Sequence, residues 1–430
     1  MTKPNRAWRK TRIGDHRLHA ESLMMGYGFD PFMSEGSIKP PIFQTSTFAF
    51  RTAQEAEAHF RTASGRRIEG DPEEANLIYT RFNNPNMEVL EDRLAVLEGA
   101  DEALAFSSGM SAITTSLIAC APRGSVVLHS SPLYGASEMF VRTLMADLLD
   151  VGSVEFDAGA DEATLMAAAE AAMARGPVSV IYTESPANPT NRLVDLDIVA
   201  RVRDHIASVS GHRPVIMCDN TMMGPIGHRP VAFGVDLVLY SLTKYIGGHS
   251  DLIAGACIGS SETLTRIRRL RNFLGGTLDS HACWLLTRSL ETVTLRMRKA
   301  FENAEAVARF LAGHPKVEKV SHLSLLEPGS HQHEVFVRQC DGAGSTFSFD
   351  VKGGKAAAFH VLDSLKLIRL AVSLGGTESL ACHPGSTTHS GVPADIRARM
   401  GFTEGLIRLS IGIEHPDDLI ADLAQALDQA

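Results

Sequence analysis

Between residues 84 and 294 short apolar runs alternate with longer helical stretches, and this alternation constrains the fold more than any other feature of the chain. The runs are Ala103–Phe106, Ser125–His129, Val178–Tyr182, Val215–Cys218, Leu237–Tyr240 and Ile253–Ile258. Alanine-rich segments such as "DEATLMAAAEAAMARG" separate most of them, and "NMEVLEDRLAVLEG" reads as a helix stopped by Gly99. Strands alternating with helices predict a mostly parallel sheet covered on both faces, an α/β domain over 84–294. Residues 1–83 show no sustained period. They carry proline turns ("IKPPIFQTSTF") and a polar loop or insertion around 62–77, and are expected to form an extended segment that packs on a neighbouring subunit. From 295 to 430 the pattern becomes a smaller α+β domain. There "STFSFDV" alternates with period two, and "GLIRLSIGIE" sets Ile407, Leu409, Ile411 and Ile413 against Arg408, Ser410 and Gly412.

Composition removes several function classes. With 44% hydrophobic and 21% charged residues and no apolar run of about 18 residues, the chain reads as globular, with no membrane as partner. The basic start, "MTKPNRAWRKTRIGDHR", precedes no hydrophobic segment and is not expected to be a secretory signal. A net charge of −9 without a basic stripe argues against nucleic acid. The six cysteines lie far apart with no metal spacing, which suggests buried thiols, a cytoplasmic location and no metal site.

In an open parallel sheet, ligands bind beyond the carboxyl ends of the strands, so the residues at those ends matter most. The first run leads into Ser107-Ser108-Gly109-Met110, where a helix N-terminus could seat a phosphate. The next reaches Tyr134 in "SSPLYGAS", and Val178–Tyr182 leads to Asn188 in "TESPANPT". Val215–Cys218 runs directly into Asp219, and Leu237–Tyr240 delivers Ser241, Thr243 and Lys244. Singly each has an ordinary explanation, as a helix cap, a wedge or a turn residue. Together they offer an amine for a Schiff base, a phosphate seat, an acid for a ring nitrogen and an aromatic to stack on the ring. That set points to pyridoxal 5′-phosphate.

The stretches "PPIFQTSTF", "YTRFNNPN", "SSGMSAI", "PLYG", "ESPANPT", "CDNT", "SLTKYIGGHSD", "AVSLGGTESL", "HPGSTTHS" and "EGLIRLSIGIE" run in order from about residue 40 to the end of the sequence. In these the chain resembles the pyridoxal-phosphate-dependent enzymes of Cys/Met metabolism, which include the cystathionine γ-synthases and methionine γ-lyases. The resemblance implies a fold type I subunit and a homotetramer built as a pair of catalytic dimers. It implies that Lys244 is the Schiff-base lysine and proton shuttle, that Asp219 binds the pyridine nitrogen, and that Tyr134 stacks on the ring and serves as acid. The cofactor phosphate would be held by Gly109, Met110, Ser241 and Thr243, with Tyr79 and Arg81 reaching across from the partner subunit. Arg408 would clamp the substrate carboxylate with Asn188 and Ser373. The alternation of "GLIRLSIGIE" agrees, since it turns Arg408 away from the four aliphatic residues.

Departures from the family pattern bear on specificity. Cystathionine-handling members commonly carry an acid where this chain has Val372, and the apolar residue favours a methionine γ-lyase-like pocket. Ala136 replaces the cysteine typical of methionine γ-lyases, and Arg271-Asn272 replaces their Lys-Asp pair. The expected activity is γ-elimination from a methionine- or homoserine-type amino acid, with γ-replacement on an O-acylhomoserine as the alternative. The intact Lys244, Asp219 and Arg408 set argues for an enzyme rather than a non-catalytic relative.

Overall fold

The apolar runs of the middle of the chain assemble into one seven-stranded sheet in the computed structural model, which describes residues 8–73, 75–392 and 394–429. Residues 1–7 of the basic N-terminal stretch and Glu74 of the polar loop lie outside the described residues. The strands are β1 (Glu102–Phe106), β2 (Val126–Ser131), β3 (Gly152–Asp157), β4 (Val178–Glu184), β5 (Val215–Asp219), β6 (Leu237–Tyr240) and β7 (Gly255–Gly259). Their spatial order is β1-β7-β6-β5-β4-β2-β3. Strands β2 to β6 pair in parallel, whereas β7 runs antiparallel to both β1 and β6.

Burial explains which strands were legible. Every residue of β4 is buried because helices cover both faces, so it reads as a continuous apolar run. Strand β3 was missed: it lies at the sheet edge, its "GSVEFD" is only partly buried, and its polar residues hide the pattern. Alternate side chains feed two cores. Leu128, Ile181, Ile216 and Val238 pack with Leu90, Val199 and Val202, while Val127, Val180, Met217 and Leu239 pack with Ile113, Leu117 and Ile267. Each fully buried aliphatic contributes about 1.5–3 kcal/mol, so the two cores dominate the stability of this layer.

The C-terminal part forms a second sheet from β8 (Val317–Ser321), β9 (Thr346–Val351), β10 (Arg369–Leu370), β11 (Leu380–Cys382) and β12 (Leu406–Ser410), in the order β8-β9-β12-β11-β10. Ile407, Leu409 and Ile411 join Phe347, Phe349 and Leu423 in its core. Ile413 does not: β12 ends at Ser410, and Ile413 lies exposed beyond it. The N-terminal segment also holds more order than its sequence suggests, namely a helix over Ala53–Ala63. Thr52 caps it by accepting from the Glu55 N–H at 3.1 Å, and the Glu55 carboxylate accepts from the Arg51 N–H at 2.7 Å. Its composition, "AQEAEAHFRTA", has too few large apolar residues to show a face. The polar loop after it is held by a two-pronged Arg61–Asp71 pair at 2.8 and 2.6 Å.

Candidate active site

The carboxyl ends of the central parallel strands converge on one group of side chains. Strand β5 ends at Asp219, which is buried and accepts a 3.0 Å hydrogen bond from the Thr221 N–H. Beyond β6 the Ser241 N–H donates to the Thr221 hydroxyl at 2.9 Å, and the Lys244 N–H closes a turn onto the Ser241 carbonyl at 3.1 Å. Opposite this turn lies the N-terminus of the helix Gly109–Cys120, capped by the Ser108 hydroxyl, which accepts from the Ser111 N–H. A Cβ at residue 109 would sit 2.9 Å from the Ser241 Cβ, so glycine is what lets this helix end meet the turn. The Gly109 and Met110 N–H groups, in the first turn of that helix, have no partner four residues back. With Ser241 they make a cradle for an anion. The Thr243 hydroxyl is instead engaged with Ala254, donating to its carbonyl and accepting from its N–H at 3.2 and 3.0 Å.

Lys244 is the hinge of the site. Its ammonium donates to the Ser373 hydroxyl at 3.0 Å, and burial, with the Arg408 charge second, lowers its pKa to about 8. An amine so placed gives up its proton far more easily than an exposed lysine. Arg408, on β12, is only 3% exposed. It donates to the Asn188 side-chain oxygen at 3.1 Å and to the Ser373 carbonyl at 3.0 Å. Among the described residues no carboxylate forms an ion pair with it. A buried guanidinium held only by neutral acceptors is costly unless an anion completes it.

The structure thus brings Lys244, Ser373, Arg408 and Asn188 into one hydrogen-bonded group, with Asp219 and the Gly109–Ser241 cradle on the strands beside it. Tyr134 precedes the helix Gly135–Met139 and is 40% exposed. Val372, next to Ser373, is 56% exposed. Within this chain Tyr79 pairs with Thr47 through its backbone and stays exposed, and Arg81 donates to the Asn272 carbonyl at 2.6 Å. Arg271 is fully buried against Glu91 at 2.7 Å, so it is a core ion pair and not part of the pocket wall.

Two groups of residues escaped the sequence reading. One is Glu184, the last residue of β4, whose carboxylate accepts from the Tyr134 N–H at 2.7 Å and the Asn188 N–H at 3.0 Å. Burial and the neighbouring Asp219 charge both push its pKa well up. The other lies on the opposite face of the sheet. There the Tyr240 hydroxyl donates to Glu98, the Asn220 amide donates to Tyr240 at 2.7 Å, and His228 Nδ1 meets the Asn220 oxygen at 2.9 Å. Burial raises Glu98 to about 7 and lowers His228 to about 4. The one signal for it was Glu98 itself, an acid in the last turn of a helix, where the dipole disfavours negative charge.

Residues 22–428 match the model of the family described as Cys/Met metabolism PLP-dependent enzyme. The chain belongs to that family. As a member it is a pyridoxal-phosphate-dependent enzyme, and its sheet-plus-smaller-domain architecture is fold type I. It is 38% identical over 422 residues to an L-methionine γ-lyase of Pseudomonas putida, spanning 95% of this chain and 99% of that one. The cystathionine γ-synthase of Xanthomonas oryzae pv. oryzae, crystallised with aminoacrylate and cysteine, superposes with a TM-score of 0.84. The two are 32% identical, with 96% of this chain and 98% of that one covered. A Campylobacter jejuni protein crystallised with N′-pyridoxyl-lysine-5′-monophosphate superposes with a TM-score of 0.86 at 29% identity, covering 96% and 100% of the two chains. The residues present fit the cofactor: an anion cradle free of side-chain bulk at Gly109, a buried acid at Asp219 and a desolvated amine at Lys244. Among the described residues no helix is long and apolar enough to cross a membrane.

Proposed function

We propose that this enzyme catalyses γ-elimination from a methionine- or homoserine-type amino acid, releasing the γ-substituent, ammonia and a 2-oxo acid. The observation that carries the reading is the buried Arg408, which lacks an anionic partner among the described residues and shares Ser373 with the Lys244 amine. A substrate carboxylate on Arg408 and Asn188 would set its α-carbon before Lys244. Bound pyridoxal phosphate supplies an electron sink for negative charge at that carbon. Lys244 would hold the cofactor covalently and, once displaced by substrate, remove the Cα proton. Asp219 would hold the ring nitrogen protonated. Gly109, Met110 and Ser241 would bind the phosphate, joined by Thr243 once its hydroxyl turns from the Ala254 carbonyl, and Tyr134 would stack on the ring and protonate the leaving group. An uncharged wall at Val372 favours a tail such as methionine's.

The likeness to a cystathionine γ-synthase favours a second reading, replacement of the γ-substituent by an incoming thiol on the same residues. The two separate when methionine, O-acetylhomoserine, O-succinylhomoserine and cystathionine are each offered with and without sulfide or cysteine. Elimination yields 2-oxo acid from methionine without added thiol. A requirement for thiol, with a thioether as product, refutes it.

We also propose a homotetramer of paired catalytic dimers, in which the N-terminal segment is a unit apart from the 84–294 and 295–430 domains. Exposed Phe32, Met33 and Ile38 in that segment support a covering partner. Tyr79 and Arg81 would complete the neighbouring subunit's phosphate site.

A further inference from the structure

We propose that Glu184 is a positioning residue that clamps the Tyr134 and Asn188 loops beneath the active site and so couples the cofactor seat to the substrate carboxylate site. It rests on the reading of the site given above and assigns a role to a residue which that reading leaves unused.

Glu184 ends β4 at 3% exposure. Its two carboxylate oxygens go to two different loops: Oε2 accepts from the Tyr134 N–H at 2.7 Å, and Oε1 accepts from the Asn188 N–H at 3.0 Å. Its own N–H donates to the Ser130 hydroxyl at 3.0 Å, which fixes the strand end on which the carboxylate stands. Among the described residues no lysine or arginine forms an ion pair with it. A buried carboxylate held only by neutral donors is an expensive way to fasten a fold. What it provides is geometric: two oxygens on one planar group accept from two loops at once, and with the proton that burial favours both still keep lone pairs for those bonds.

Both fastened loops carry site residues. Tyr134 opens the helix Gly135–Met139 with no side-chain cap, so the Glu184 bond is what anchors its N–H. Asn188 carries the bond onward, because its side-chain oxygen accepts from Arg408 at 3.1 Å. A continuous path therefore runs from the Tyr134 backbone through Glu184 and Asn188 to the guanidinium. Glu184 also pairs in register with Asp219 across β4 and β5, so the clamp shares a sheet face with the acid proposed for the ring nitrogen.

The test uses the holoenzyme and two readouts that need no turnover. One is the visible circular dichroism of bound pyridoxal phosphate, which reports how the ring is held. The other is the dissociation constant of L-norleucine, which has methionine's length and no γ-leaving group. Glu184→Gln keeps one acceptor and sets an NH₂ against the other N–H. It is expected to weaken norleucine binding about tenfold or more, the scale of a buried N–H left without its acceptor, and to change the dichroism per bound cofactor. In an Asn188→Ala background the same substitution should change norleucine affinity less than about threefold, since the path to Arg408 is already cut. If Glu184→Gln does not fold, Glu184→Asp keeps both oxygens but draws them back by one methylene, and the same outcomes apply. Unchanged dichroism and norleucine affinity, with only a lower melting temperature, would overturn the clamp. So would full additivity with Asn188→Ala. A wild-type protein without a visible cofactor band would overturn the site reading and the clamp together.

Discussion

Replacing Glu98 by glutamine should make the protein more stable at alkaline pH than at acid pH, relative to the parent. Glu98 is buried against Tyr240, and burial lifts its pKa from 4.5 to about 7. The folded state therefore holds the Glu98 proton more tightly than the unfolded chain does. Below pH 4.5 the residue is protonated in both states and costs nothing. As pH rises from 4.5 to about 7 the contribution is lost progressively, and above 7 the full penalty, about 3 kcal/mol, stands. At pH 5 only about 1 kcal/mol of it has developed. Glutamine cannot ionise, so Glu98→Gln should gain about 2 kcal/mol over the parent between pH 5 and pH 8. Any constant cost of the amide, such as an unmet N–H, cancels in that difference. The assay is urea unfolding at fixed protomer concentration with saturating cofactor, repeated from pH 5 to 8. Parallel pH profiles for the two proteins would refute the reasoning, because they would mean that Glu98 carries the same charge in the folded and unfolded states.

Three further outcomes are expected at the site. Lys244→Ala should abolish turnover and the visible band of covalently held cofactor while the far-ultraviolet dichroism stays unchanged; a normal band in that variant would refute the lysine's role. Mixing Arg81→Ala with Lys244→Ala protein should restore part of the activity through hybrid dimers with one intact site, and silence after proven subunit exchange would refute the shared site. Val372→Glu should raise kcat/KM for cystathionine relative to methionine, since an unpaired distal ammonium costs several kcal/mol, or more than about 100-fold. An unmoved ratio, or a parent enzyme that already prefers cystathionine, would count against the uncharged wall.

The sequence alone determined the strand-and-helix alternation, the sheet ends and most of the residues gathered there, because each is a local signal. An apolar run in β4 or β6 is visible without neighbours, and so is the polar residue that follows it. Glycine at residue 109 and arginine at residue 408 were likewise legible from motif and alternation, although only the packing shows that a Cβ at 109 would collide with Ser241. What the tertiary structure decided depends on pairs far apart in the chain. Whether Glu184 is a solvated strand end or a clamp turns on Tyr134, fifty positions earlier, coming within 2.7 Å of its carboxylate. Glu98 titrates near neutral pH because the fold excludes water from it, an effect that the hydrogen bond from Tyr240 on β6 only partly offsets. Strand β3 stayed hidden because an edge strand needs only one apolar face, and the helix Ala53–Ala63 because its hydrogen bonds and cap, not a hydrophobic stripe, define it. Burial and partner identity are set by the whole fold, and those two quantities turn a carboxylate or an amine from a surface charge into chemistry.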